Sequence, residues 1–154
     1  MNLEIHSYVG VGLITFGMTR DEVRSVLPGP YEDFQRGKPK DASKLPDHFF
    51  KELGIFVYYA PDGKCKAIEM TSWARPTYAG HQLLGVPPGP VIKLICDLDP
   101  KFATDSAGLT AFTLGIGLYI PGQKHNDLDI EGVIAFQRGY YDNTPSIMKP
   151  SGHA

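Results

Sequence analysis

Residues 53–73 read LGIFVYYAPDGKCKAIEMTSW, and they decide the fold class. The first eight are rich in β-branched and aromatic side chains, which suit a half-buried pleated surface. In residues 65–73 the apolar Cys65, Ala67, Ile68 and Met70 are interleaved with Lys66, Glu69 and Thr71, the near-alternation of a strand with one covered face. Between them, Pro61 and Gly63 in the link APDGK supply the fixed and the free backbone torsions of a tight turn. The segment predicts a β-hairpin.

A related segment lies about sixty residues further on. Leu53-Gly54-Ile55-Phe56-Val57-Tyr58 aligns with Leu114-Gly115-Ile116-Gly117-Leu118-Tyr119, and Pro61 or Pro121 follows each run. Behind each comes a segment with a central aliphatic pair, Ala67-Ile68 or Val133-Ile134. A helical stretch precedes each. Thr19 and Glu22 form a capping box, Val23, Val26 and Leu27 make one apolar stripe, and Pro28-Gly29-Pro30 ends it. After Pro87-Pro88-Gly89-Pro90, the residues Val91, Leu94, Ile95 and Leu98 repeat the helical spacing. Helices are expected at 19–27 and 90–98, and long strands at 109–121 and 129–141.

The expected fold is α+β: two tandem helix–β-hairpin repeats, roughly 10–73 and 74–141, forming one antiparallel sheet with both helices packed on one face. Such a unit cannot bury its sheet face alone, which is why two must join. Residues 31–50 are the least patterned stretch and read as a long loop, a solvated connection or a binding segment. Residues 142–154 have no period and read as a flexible tail. The whole of 1–154 is taken as a single domain.

Composition narrows the function. The chain has 154 residues, 42% hydrophobic and 21% charged, so a core is available and wholesale disorder is excluded. Fifteen Lys and Arg against 17 Asp and Glu leave a net charge of −2, which gives no nucleic-acid footprint. No apolar run is long enough to span a membrane, and no cationic leader precedes an apolar segment. The expected location is cytoplasmic. Two cysteines, Cys65 and Cys96, read as reduced thiols, or as one disulfide in an oxidising compartment.

The run Gly17-Met18-Thr19-Arg20-Asp21-Glu22-Val23 resembles the G-M-T-x-x-E-V signature of the SmpA/BamE-like outer-membrane assembly lipoproteins. In looser form it is similar to the tandem-repeat β-lactamase inhibitor proteins. The doubled plan looks more like the inhibitors, and that resemblance implies a concave sheet face that grips a partner enzyme. The chain lacks a lipobox cysteine near its start and a disulfide in each repeat. A second resemblance, carried by Gly115-Ile116-Gly117-Leu118-Tyr119 and the GVIAFQRGYYD run, is to immunity proteins of bacterial toxin systems, which neutralise a toxin by tight binding.

Catalytic signatures are absent from the sequence. The five histidines, His6, His48, His81, His125 and His153, include no metal-binding spacing, and no G-x-S-x-G or phosphate-loop glycine pattern occurs. No metal, cofactor or catalytic residue is expected. The remaining signal is aromatic. Tyr58 and Tyr119 occupy matched positions on the sheet face opposite the aliphatic core, with Gly117 leaving a shallow place among the aromatics. The expectation is therefore a non-enzymatic protein that binds a toxin or enzyme as an inhibitor or immunity protein. Its anchors would be Tyr58, Trp73 and Tyr119, joined by Tyr31, Phe34 and Arg36 from the loop. A small-ligand or peptide-binding module and a dimerising structural protein, a homodimer, are the alternatives; an enzyme is the remotest.

Overall fold

A computed structural model of the chain describes residues 1–35, 46–71 and 73–141. The tail at 142–154 and half of the 31–50 connection, residues 36–45 with Arg36 included, lie outside the described residues. Among the described residues there are thirteen short strands, two α-helices and one 3-10 turn. Strands β1 (Ile5–His6), β2 (Gly10–Val11) and β3 (Ile14–Thr15) form a small antiparallel sheet ahead of α1 (Arg20–Val26). Then come β4 (Glu32–Phe34), β5 (Asp47–Phe50), β6 (Ile55–Tyr59) and β7 (Cys65–Thr71). A two-stranded ribbon, β8 (Thr77–Tyr78) with β9 (His81–Gln82), leads to α2 (Pro88–Leu98). The chain closes with β10 (Ala103–Thr104), β11 (Gly108–Ala111), β12 (Ile116–Tyr119) and β13 (Gly132–Phe136).

The main sheet is antiparallel and eight-stranded, in the order β10-β11-β12-β13-β7-β6-β5-β4. It consists of two four-strand meanders joined where β13 pairs with β7, Val133 opposite Met70 and Ala135 opposite Ile68. This overturns the helix–hairpin expectation. The described residues are 36% strand and only 16% helical, so the chain is sheet-dominated and not a pair of tandem helix–hairpin repeats. It also removes the likeness to the SmpA/BamE-like and β-lactamase-inhibitor plan. The shared capping box is a local device for starting a helix and is indifferent to what the helix packs on.

The physical reason lies in two turns that the sequence reading passed over. Residues 109–121 are not one strand, because the chain turns at 112–115, with Gly115 at φ +70° and its amide donating to Ala111 O. The matching Gly54, also at φ +70°, closes the turn between β5 and β6. A Cβ there would sit 2.5 Å from Thr71 O, so glycine is required by space as well as by torsion. The repeated Leu-Gly-Ile letters thus encode a turn followed by a strand. Each turn adds strands where a loop or one long strand was expected.

The capping box at α1 is present: Glu22 N donates to Thr19 Oγ1 at 3.2 Å, and Thr19 N donates to Glu22 Oε1 at 3.0 Å. Helix α2 begins at Pro88 and has no side-chain cap. Both helices pack on one sheet face. Val23 and Leu27 of α1, with Val91 and Ile95 of α2, share one core with Ile55, Val57, Ile68, Met70, Ile116, Leu118 and Val133. The two cysteines are free; Cys65 is buried in that core and Cys96 half-buried on α2. No helix among the described residues is long and apolar enough to cross a membrane.

Candidate functional site

The face of the sheet turned away from the helices is built by strand parity. Cross-strand pairing lines up two rows on it at the β11–β7 half. One row runs Gly108, Tyr119, Gly132, Thr71; the next runs Thr110, Gly117, Ile134, Glu69 and continues to Phe56 and Phe49. Three of these positions are glycines, so the backbone itself forms the floor. A trough of about 170 Å³ results, bounded by Tyr119, Ile134, Thr110 and Tyr141, with Glu69 and Asp105 also lining it. Gly117 is the deepest requirement, since a Cβ on it would come within 2.8 Å of Ile134 Cγ2.

The other half of this face is closed. Tyr58, Ala67 and Phe136 form a second small core, covered in part by Tyr8, Phe34, Phe56, Phe112, Tyr140 and Tyr141. Phe49 stacks on Phe56 at 4.2 Å, Phe34 meets Phe56 edge-on at 5.2 Å, and Tyr140 stacks on Phe136 at 5.7 Å. Gln137 N donates to Lys66 O, extending the β13–β7 pairing and bringing Tyr140 and Tyr141 over the face.

This geometry separates the expected anchors. Tyr119 is 45% exposed at the trough, because its row neighbours Gly108 and Gly132 offer no side chain to cover it. Tyr58 is only 2% exposed, and its hydroxyl donates to Glu69 Oε1. It closes a second core, so Tyr58 and Tyr119 are not equivalent despite their matched positions. Phe34 lies on this face as a packing partner of Phe56. Trp73 is 57% exposed, but its indole N–H is tied to Glu52 O at 2.7 Å, by the β5–β6 turn. Tyr31 sits on the helix side, 4.6 Å from the His48 ring and 5.7 Å from that of Phe50. The structure therefore gathers Phe34, Tyr58 and Tyr119 on one face and leaves Tyr31 on the other. Glu69, Asp105, Thr110, Ile134 and Tyr141 were missed. Their signal was Gly108 and Gly132 flanking Tyr119, which emerges only once the strands are paired.

A polar cluster sits under the helix side. His48 is buried; the Arg20 guanidinium, always a donor, is 3.3 Å from its Nε2 through Nη1, so Nε2 accepts. Nδ1 then carries the proton and donates to the Tyr59 hydroxyl at 3.0 Å. Burial first, then the charges of Arg20 and Arg24, pushes the His48 imidazole down to about 4, against a smaller opposing pull from Asp33. The ring is neutral at neutral pH. Burial also holds the Tyr59 phenol above its usual range and pushes the Cys65 thiol up to about 12. A protonated, buried thiol is a poor nucleophile. Arg20 lies over the Tyr59 ring at 4.3 Å, while its Nε and Nη2 are buried without a hydrogen-bond partner. The cluster is a packed, neutral-histidine interior in which His48 presents no open ring edge to a substrate.

A larger groove of about 840 Å³ lies between β1–β3 and α1, with aliphatic walls that include Leu3, Val11, Leu13, Ile14, Val26 and Leu27. Leu13 at its rim is 74% exposed. Its arginine, Arg24, is already held by Asp21 and donates to the Tyr31 hydroxyl at 3.0 Å. No group of His, Cys, Asp and Glu that could hold a metal ion occurs among the described residues. Comparison with protein-family models, curated proteins and solved structures finds no match to the chain.

Proposed function

We propose that the chain is a protein-binding protein, of the kind that inhibits or neutralises an enzyme or toxin by occupying it, and that its partner seats on the open half of the main sheet. One observation carries this: the trough at Gly117 places the exposed Tyr119 beside a glycine floor, on a rigid eight-stranded frame. Tyrosine on such a frame adds contact area at little cost in side-chain entropy, and anchors of this type concentrate binding energy. At about 170 Å³ the trough falls below the ~300–1,000 Å³ typical of small-molecule sites, which favours a protein surface with one inserted side chain.

The test is capture of partners from the source cell by the native chain, with three variants run in parallel. Tyr119→Arg and Gly117→Val should lose a partner that the native chain retains, while Leu13→Arg in the aliphatic groove should keep it. Loss with Leu13→Arg alone would move the interface to that groove and refute the assignment of the face.

A further inference from the structure

The charges around the trough name the side chain it receives. Resting on the binding reading above, we infer that the open-face trough takes an arginine side chain of the partner, with its stem on the glycine floor and its guanidinium held by the acidic lining that Glu69 and Asp105 supply. Glu69 uses Oε1 for the Tyr58 hydroxyl, and Oε2 lies 3.4 Å from where a Cβ of Gly132 would be, facing the trough floor. Asp105 uses Oδ1 to accept from the Ala107 and Gly108 amides, at 2.8 and 3.1 Å, which fixes the carboxylate in place. None of the ion pairs among the described residues involves either acid. Two basic side chains of this face are turned to other rings, Lys66 to Tyr140 at 5.6 Å and Arg138 to Tyr8 at 4.2 Å.

Two fixed carboxylates beside two tyrosines, Tyr119 and Tyr141, match the chemistry of a guanidinium, which pairs with carboxylates through a planar fork and stacks on aromatic rings. The volume suits one long side chain and little more. An acidic or purely apolar insert would leave both carboxylates desolvated and unpaired, which is the repulsive half of the specificity.

The probe is N-acetyl-L-arginine amide, titrated into the full chain while the backbone amides of Gly108, Gly117 and Gly132 are followed by two-dimensional NMR. Saturable shifts at those glycines are expected, and they should be absent with the neutral isostere N-acetyl-L-citrulline amide. The double variant Glu69→Gln, Asp105→Asn keeps the internal acceptors and should weaken binding about tenfold or more, since both charge-assisted contacts go. Gly117→Ala, which fills the floor, should weaken it without altering charge. Equal shifts with citrulline, an unchanged titration in the double variant, or no saturable shift would each overturn the inference. Retention of a partner by the double variant but not by Tyr119→Arg would refute the arginine while leaving the face intact. Retention by Tyr119→Arg would instead refute the binding face.

Discussion

Acidification should destabilise the fold through His48, and the size of the effect follows from its surroundings. The imidazole is 2% exposed and faces Arg20 and Arg24 from α1, Tyr31 ahead of β4, Asp33 on β4 and Tyr59 on β6. Only Asp33, 3.9 Å away and itself largely exposed, favours a proton on the ring. The folded chain binds that proton at about 4, whereas the unfolded chain binds it near 6.5. Between those values the unfolded state holds more protons, so stability falls as pH falls through that window and the loss is complete below about 4. The full linkage is worth ~3 kcal/mol, and ~2.5 kcal/mol of it is expressed near pH 4.5. Other carboxylates titrate in the same range, so the assay must isolate this ring. Urea unfolding of the native chain and of His48→Gln would be compared near pH 7.5 and near pH 4.5. Glutamine can accept from Arg20 and donate to Tyr59 but does not titrate, and any offset at neutral pH cancels in the comparison. The native chain should lose ~2.5 kcal/mol more than the variant on acidification. Parallel losses would show that His48 protonates in the fold as readily as in the unfolded chain, and the reasoning would fail.

Tyr58→Ala should cost ~3–5 kcal/mol, because it empties the second core, while Tyr119→Ala should stay within ~0.5 kcal/mol; denaturant midpoints would show the split. Arg20→Met removes the larger of the two cationic influences on His48, and imidazole NMR should show the ring titrating closer to 6.5 than in the native chain. Gly54→Ala and Gly80→Ala both place a side chain at positive φ, but only Gly54 would drive a Cβ to 2.5 Å from a carbonyl oxygen. Thermal unfolding should therefore fall much further for Gly54→Ala than for Gly80→Ala, where ~1 kcal/mol of torsional strain is the main cost.

Local chemistry was legible wherever neighbours in sequence are also neighbours in space. The capping box at Thr19 and the β6–β7 hairpin closed by the 60–64 turn stand where their residues indicate, and α2 ends at Leu98 as expected but begins two residues early, at Pro88. Strands β4 and β5 were not legible, because Asp47-His48-Phe49-Phe50 gains its meaning only when His48 and Phe50 bury beside Val57 and Ile55. The turn at 112–115 was hidden for a related reason. The run from Leu109 to Leu114 holds no proline, glycine or charged residue to mark a turn, and the positive φ of Gly115 that closes it is not written in the letters before it.

The sequence by itself determined the hairpin at 53–73, the start of α1, the face on which aliphatics collect and the place left open by Gly117, since each depends on periodicity or backbone freedom over a few residues. Tertiary structure decided the rest. Two identical positions in matched runs, Tyr58 and Tyr119, end up as core and as surface, because one lies beneath Tyr140, Tyr141 and Phe136 while the other lies between two glycines on neighbouring strands. Burial is a property of what arrives across the sheet from neighbouring strands, for Tyr58 from more than seventy residues away, and no local pattern encodes that arrival.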